Sequence, residues 1–193
     1  MKKVLRVGIF SVICIALIVG YFYYLTSRNS AISNTREDIS EVQAILDKDF
    51  VNDYPPTPRA TVKWYNRIIT ALYSQDYSDE EFAAMASQIR CLLDDDLLEL
   101  NPEDIYINSL ERDVLDYRNR SKVIVNSEVC STDEVEYKTI KGERVAYVSA
   151  YYFTREGSTY DRTYQDFCLR KDSDGNWKIL TFKLSKKDDT NEF

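Results

Sequence analysis

The sequence predicts an α+β protein: an amino-terminal transmembrane helix, then helices packed on one face of a curved five-strand antiparallel sheet. Three observations predict it. An uncharged apolar run, Val7–Leu25, follows Lys2, Lys3 and Arg6. All four prolines (Pro55, Pro56, Pro58 and Pro102) fall before residue 103, and no glycine lies between Gly20 and Gly142. Gly142, Gly157 and Gly175 then each separate runs in which apolar and polar residues alternate. Proline-punctuated helical periodicity followed by glycine-punctuated alternation is a helical half followed by a hairpin half.

The apolar run comes first. Its residues, rising about 1.5 Å each, give a helix close to the ~30 Å hydrocarbon thickness. It ends in Tyr21, Phe22, Tyr23 and Tyr24, the aromatic belt of a membrane–water interface. A cleaved signal has a shorter apolar region ending in small residues. The pattern Ala31-Ile32-Ser33 lies well past the run, and Ile13 is too large for a lipoprotein signal at Cys14. An uncleaved anchor through Val7–Leu25 into the lipid bilayer is therefore expected. The positive-inside rule leaves Lys2, Lys3 and Arg6 in the cytoplasm and the carboxy-terminal domain outside. The part after the span holds 22 basic and 32 acidic residues, a net −10.

The expected organisation is a stub and anchor over 1–27, a linker and juxtamembrane helix over 28–56, a helix–sheet unit over 57–184 and a disordered tail over 185–193. Asn34 with Glu37 suits a helix start, and Ile39, Val42, Leu46 and Phe50 recur at helical spacing, giving a helix near 35–50. Tyr54 to Pro58 breaks it. Thr57 caps a helix over 58–74 with Pro58 at its first position, and Val62, Tyr65, Ile68, Ile69 and Leu72 form its apolar stripe. Ser78 with Glu81 is a capping box for a helix over 79–93, with Phe82, Met85, Ile89, Leu92 and Leu93 buried. A short helix is expected over Leu110–Tyr117.

Five strands follow, near 122–130, 134–141, 143–154, 158–170 and 176–184. Lys141-Gly142 and Asp174-Gly175 suit tight turns, and 155–158 suits a four-residue loop. These lengths set a register in which Tyr137 faces Ala146, Tyr147 faces Asp166 and Phe167 faces Phe182. One face collects Val135, Tyr137, Ala146, Val148, Ala150, Phe167, Leu169, Leu180, Phe182 and Leu184, which suits packing against helices. The other collects Glu136, Lys138, Tyr147, Ser149, Tyr151, Arg162, Tyr164, Asp166, Trp177 and Lys183, which is polar and aromatic.

Composition closes several routes to function. The chain has 193 residues, a formal charge of −7 and no histidine. Without histidine there is no Ser-His-Asp or Cys-His nucleophile system, no imidazole base and no histidine-bearing metal site. The acid excess argues against nucleic-acid binding, which needs clustered lysine and arginine.

The segments Tyr-Val-Ser-Ala-Tyr-Tyr-Phe (147–153), Thr-Tyr-Gln-Asp-Phe (163–167) and Gly-Asn-Trp-Lys-Ile (175–179) resemble small membrane-anchored proteins of Gram-positive bacteria, a family without an assigned function. Helices followed by a long antiparallel meander that ends in Asp174-Gly175-Asn176-Trp177-Lys178-Ile179 are similar to the cystatin-like roll of the nuclear transport factor 2-like superfamily, over about 57–184. That resemblance implies a pocket between helices and sheet. The roll serves isomerases, dehydratases, hydrolases, secretion components and plain binding modules, so it leaves function open.

Four groups of residues were candidates for chemistry. Asp166 and Tyr147 could act as a carboxylate and a donor, but strand parity puts both on the outer face, where Asp166 pairs with Lys183. Asp172 to Asn176 starts like a calcium loop, yet its glycine is fourth rather than sixth and Lys183 stands at position twelve; a turn is the reading. Asp94-Asp95-Asp96 reads as a solvated acidic knob. Cys91, Cys130 and Cys168 read as small core thiols, with a Cys130–Cys168 bridge left open. No catalytic residue, metal or cofactor is expected.

Tyrosine is in excess: 15, against 8 phenylalanines and 2 tryptophans. Tyrosine covers half-wet sheet faces and is favoured at interfaces. The expected binding surface is therefore Tyr147, Tyr151, Tyr164, Asp166 and Trp177, used by an envelope protein partner or by a second copy of the chain. The alternative is an envelope small-ligand carrier or an isomerase/dehydratase-type enzyme using the pocket between helices and sheet.

Overall fold

The computed structural model describes residues 40–185. The described helices and strands belong to one compact unit that begins at Glu41. The expected span at Val7–Leu25, the Asn34–Glu37 helix start and the tail beyond Ser185 lie outside the described residues. Among those described, no helix is long and apolar enough to cross a membrane.

This unit is α+β. Its helices are α1 (Glu41–Leu46), α2 (Pro58–Ser74), α3 (Asp79–Arg90), α4 (Asp95–Leu100) and α5 (Glu103–Asn119). The strands are β1 (Lys122–Val129), β2 (Glu136–Ile140), β3 (Glu143–Glu156), β4 (Thr159–Lys171) and β5 (Trp177–Ser185). They form one antiparallel sheet in the order β1-β3-β4-β5, with β2 pairing the first part of β3.

Local chemistry sets the helix ends. The Thr57 hydroxyl accepts from the Ala60 amide, with Pro58 at the first helical position, so α2 starts where its sequence says. Ser78 and Glu81 form a reciprocal capping box on α3. Asp94, at the head of α4, accepts from the Asp96 amide. The helix expected near 110–117 is longer, beginning at Glu103, and α4 has no counterpart in the sequence reading. The six-residue α4 is too short to show helical periodicity.

The core lies between the helices and one sheet face. Val62, Ile68, Leu72, Met85 and Ile89 are fully buried from the helices, Leu92 from the strap after α3, and Ala146, Phe167, Leu169 and Ile179 from the sheet. At about 1.5–3 kcal/mol for each large side chain, this layer is the main source of stability. The strap after α3 is also sewn to β5. The Asp94 amide donates to the Ile179 carbonyl at 2.9 Å, and the Ile179 amide to the Leu92 carbonyl at 2.9 Å.

The register agrees at Tyr137–Ala146 and Phe167–Phe182 and differs elsewhere. Glu156 pairs with Thr159, so the β3–β4 turn has two residues, Gly157-Ser158, rather than four. Tyr147 therefore faces Cys168, while Asp166 faces Ser149. A shift of two keeps every side chain on its face. The β4–β5 pairing is different in kind. Cys168 faces Thr181 but Leu169 faces Ile179, so Leu180 is an extra residue. One extra residue inverts parity for everything before it. Ile179 and Trp177 thus turn inward, at 0% and 5% exposure, and Leu180 is only half-buried.

Three apolar residues expected inside are exposed: Tyr137, Phe182 and Leu184. Phe182 still leans its ring on Tyr65 and Phe167, at 5.9 and 5.8 Å between centroids. With Leu184 it edges an open cavity rather than a sealed core.

Candidate functional site

Four of the five expected surface residues share the outer sheet face. Tyr147, Tyr151, Tyr164 and Asp166 project from β3 and β4 and are each half-buried. Tyr151 and Tyr164 are direct cross-strand neighbours with ring centroids 5.8 Å apart. Arg162 lies over the Tyr151 ring at 4.6 Å and donates to the Tyr164 hydroxyl at 3.3 Å. Lys138 lies over the Tyr147 ring at 4.9 Å. Such stacked cations hold the rings in place while leaving their edges in water. Asp166 accepts from the Ser149 hydroxyl at 2.8 Å and faces Lys183 across the strands. A hydrogen bond to Glu128 raises the Tyr151 phenol, so the ring presents a neutral hydroxyl.

Trp177 does not belong to this surface. The extra residue at Leu180 turns it to the inner face, against Tyr137 at 5.7 Å. Arg144 and Lys171 close over its ring at 5.8 and 5.7 Å. The Tyr54 hydroxyl donates to its carbonyl at 3.0 Å. Trp177 is a core residue.

Asp94 is not solvated either. It is 4% exposed and takes a two-point grip from Arg170, whose guanidinium also reaches Asp96 at 2.8 Å. These hydrogen bonds, led by those to Asp94, raise Arg170 further above its usual range. The acidic run fastens α4 to β4. Asp172 accepts from the Asp174 and Asn176 amides at 3.0 and 2.7 Å, closing a turn around Gly175. All three cysteines are free thiols: Cys91 is exposed and Cys168 half-buried, neither a core thiol as expected, while half-buried Cys130 packs against the core. Burial pushes Cys130 and Cys168 up, away from thiolate character.

The helix–sheet cavity has a volume of about 320 Å³. Tyr65, Tyr73, Tyr106, Tyr117 and Tyr152 crowd its wall. Burial raises Tyr106 to about 12 and holds Tyr65, Tyr73 and Tyr152 higher still, so all four stay neutral. Asp113 is the carboxylate among the described lining residues, and it is exposed. An exposed carboxylate lacks the desolvation that tunes a general base.

A second and larger groove, about 620 Å³, runs between α2 and β1. Arg59, Lys63, Asn66 and Thr70 line it from α2 at spacings of four, three and four, one face of a helix. The sequence reading followed the apolar stripe of α2 and passed over this one. Arg59 and Lys63, four residues apart beside the apolar stripe, are its signal in the sequence.

A family model described as "Domain of unknown function (DUF6715)" matches residues 1–182. The chain belongs to this family. The DUF6715 match takes in both the Val7–Leu25 run and the helix–sheet unit through Phe182. No curated protein matches the chain.

Proposed function

We propose that this DUF6715 protein is a membrane-tethered binding or assembly module of the bacterial cell envelope, that it is not an enzyme, and that it engages a protein partner through the outer face of its sheet. The apolar run and its basic flank support a single span with the domain outside the cytoplasm, and the resemblance to membrane-anchored Gram-positive proteins supports an envelope setting. The observation that carries the binding reading is the ladder of Tyr147, Tyr151 and Tyr164, fixed by Lys138 and Arg162 on the sheet face opposite the one that packs against the described helices. Rigid tyrosines offer large contact area at small entropic cost, and arginine beside them suits a wet interface. The interior supports the same reading: its fully buried members are mainly aliphatic, and burial raises the Cys130 and Cys168 thiols away from thiolate character.

The tyrosine-lined cavity favours one rival, a carrier of a small apolar ligand. Photo-crosslinking in intact cells separates the two. A photoreactive residue at position 164 should capture a protein, and Tyr151→Ala should reduce that capture. Capture that fails at 164, with an apolar compound co-purifying and lost from a Tyr106→Trp variant, would favour the carrier.

A further inference from the structure

We propose that the groove between α2 and β1 is an oxyanion-binding site, taking a carboxylate or phosphate group of a small ligand against Arg59, Lys63 and Asn66. The site lies on a different face from the tyrosine ladder and does not depend on its role.

Charge is the first observation. The groove also contains Arg67, Glu41 and Glu128, and one of its two carboxylates, Glu41, is paired. Arg67 binds Glu41 through two hydrogen bonds, Nε to Oε1 at 2.6 Å and a terminal nitrogen to Oε2 at 3.0 Å. Glu128 faces the neutral Tyr151 hydroxyl and keeps its charge, so the three cations of the groove exceed its two carboxylates by one. Arg59 gives its Nε to the Cys130 carbonyl at 2.6 Å, a neutral acceptor. Lys63 is exposed, and among the described residues no carboxylate pairs with it or with Arg59. In a part of the chain with net charge −10, a groove with a net positive charge and two cations outside any ion pair is a local exception. Such a groove attracts anions.

The second observation is an orphaned donor. Asn66 is 1% exposed and lines the same groove. Its Oδ1 accepts from the Tyr152 hydroxyl, which fixes the amide's orientation. Its Nδ2 is buried without a hydrogen-bond partner. A buried donor left unpaired costs about 1–3 kcal/mol, so native proteins rarely keep one without use. Thr70 and Ser127, joined at 3.3 Å, add hydroxyls beside it. Two cations, an aimed amide donor and two hydroxyls match the acceptor-only chemistry of an oxyanion. The volume of about 620 Å³ leaves room for the body of a small molecule.

The test uses the full chain in nanodiscs of neutral phosphatidylcholine at fixed ionic strength, with the Asn66 side-chain amide followed by NMR. Inorganic phosphate and acetate are titrated separately, and a third sample carries phosphatidylglycerol to present a phosphate on a lipid. The expected result is a saturable shift of the Asn66 amide with at least one free oxyanion. Lys63→Glu should weaken it at least about tenfold. Lys183→Glu, an exposed change of equal charge on β5, should leave it intact. A shift present before titration only in the phosphatidylglycerol sample would assign the oxyanion to a lipid headgroup. A stationary Asn66 amide in all three samples would overturn the proposal. So would a shift that Lys63→Glu leaves unchanged or that both charge variants weaken equally.

Discussion

Trp177→Ala tests the inverted parity of β5. The side chain is 5% exposed, so truncation empties a core position. A buried tryptophan covers about 150–250 Å². At about 25 cal/mol per Å² this is about 4–6 kcal/mol as an upper value. Alanine retains the Cβ, and the surroundings collapse in part, which brings the expected loss to about 3–5 kcal/mol. The Tyr54 hydrogen bond goes to the Trp177 carbonyl and survives the change. The cations over the ring, Arg144 and Lys171, lose a partner worth about 0.5–1 kcal/mol each, within that range. Tyr164→Ala on the outer face should cost only about 1 kcal/mol. Urea unfolding of the purified chain in mild detergent, read by near-ultraviolet circular dichroism, measures both. A small loss for Trp177→Ala with a large one for Tyr164→Ala would refute the extra residue at Leu180 and restore simple alternation along β5.

Further perturbations probe other joints. Thr57→Ala and Ser78→Ala should each cost about 0.5–2 kcal/mol in the same assay, because each removes a helix cap. Asp94→Ala should cost about 2–4 kcal/mol, since it strips Arg170 of its buried partner while Asp96 remains; an unchanged midpoint would show that α4 is not fastened through this pair. Hydrogen bonding from Arg67 lowers the Glu41 pKa. The stability linked to Glu41 is therefore present above its unfolded value and lost as pH falls through its folded one. Arg67→Ala should raise the Glu41 titration midpoint and flatten that acid-side dependence, as read from its carboxyl carbon resonance.

Much of the fold was legible because local rules and burial agree in it. Thr57-Pro58 and the Ser78–Glu81 box mark their helices, and Lys141-Gly142 closes its hairpin with both residues at positive φ, 52° and 87°. The sorted faces of β3 and β4 survived a wrong loop length because the error was even. The error on β5 was odd and moved a site residue into the core. Its trace was in the sequence: Trp177 and Ile179 alternate in one phase, Leu180, Phe182 and Leu184 in the other. A phase break inside a strand is the mark of a bulge. Asp94 was misread for another reason. Its partner Arg170 is 76 positions away, and long-range ion pairs leave no local pattern. The polar stripe of α2 was hidden beside a stronger apolar one, and its orphaned amide exists only once Tyr152 is packed against it.

The most direct measurement of the central claim is hydroxyl-radical footprinting of the tyrosines, comparing the full chain in its native membrane with the purified chain in detergent. Binding through the outer sheet face predicts that Tyr147, Tyr151 and Tyr164 become protected in the native membrane while Tyr73, Tyr106 and Tyr117 react alike in both. Protection confined to the cavity tyrosines, or identical reactivity of the outer ladder in the two samples, would contradict it.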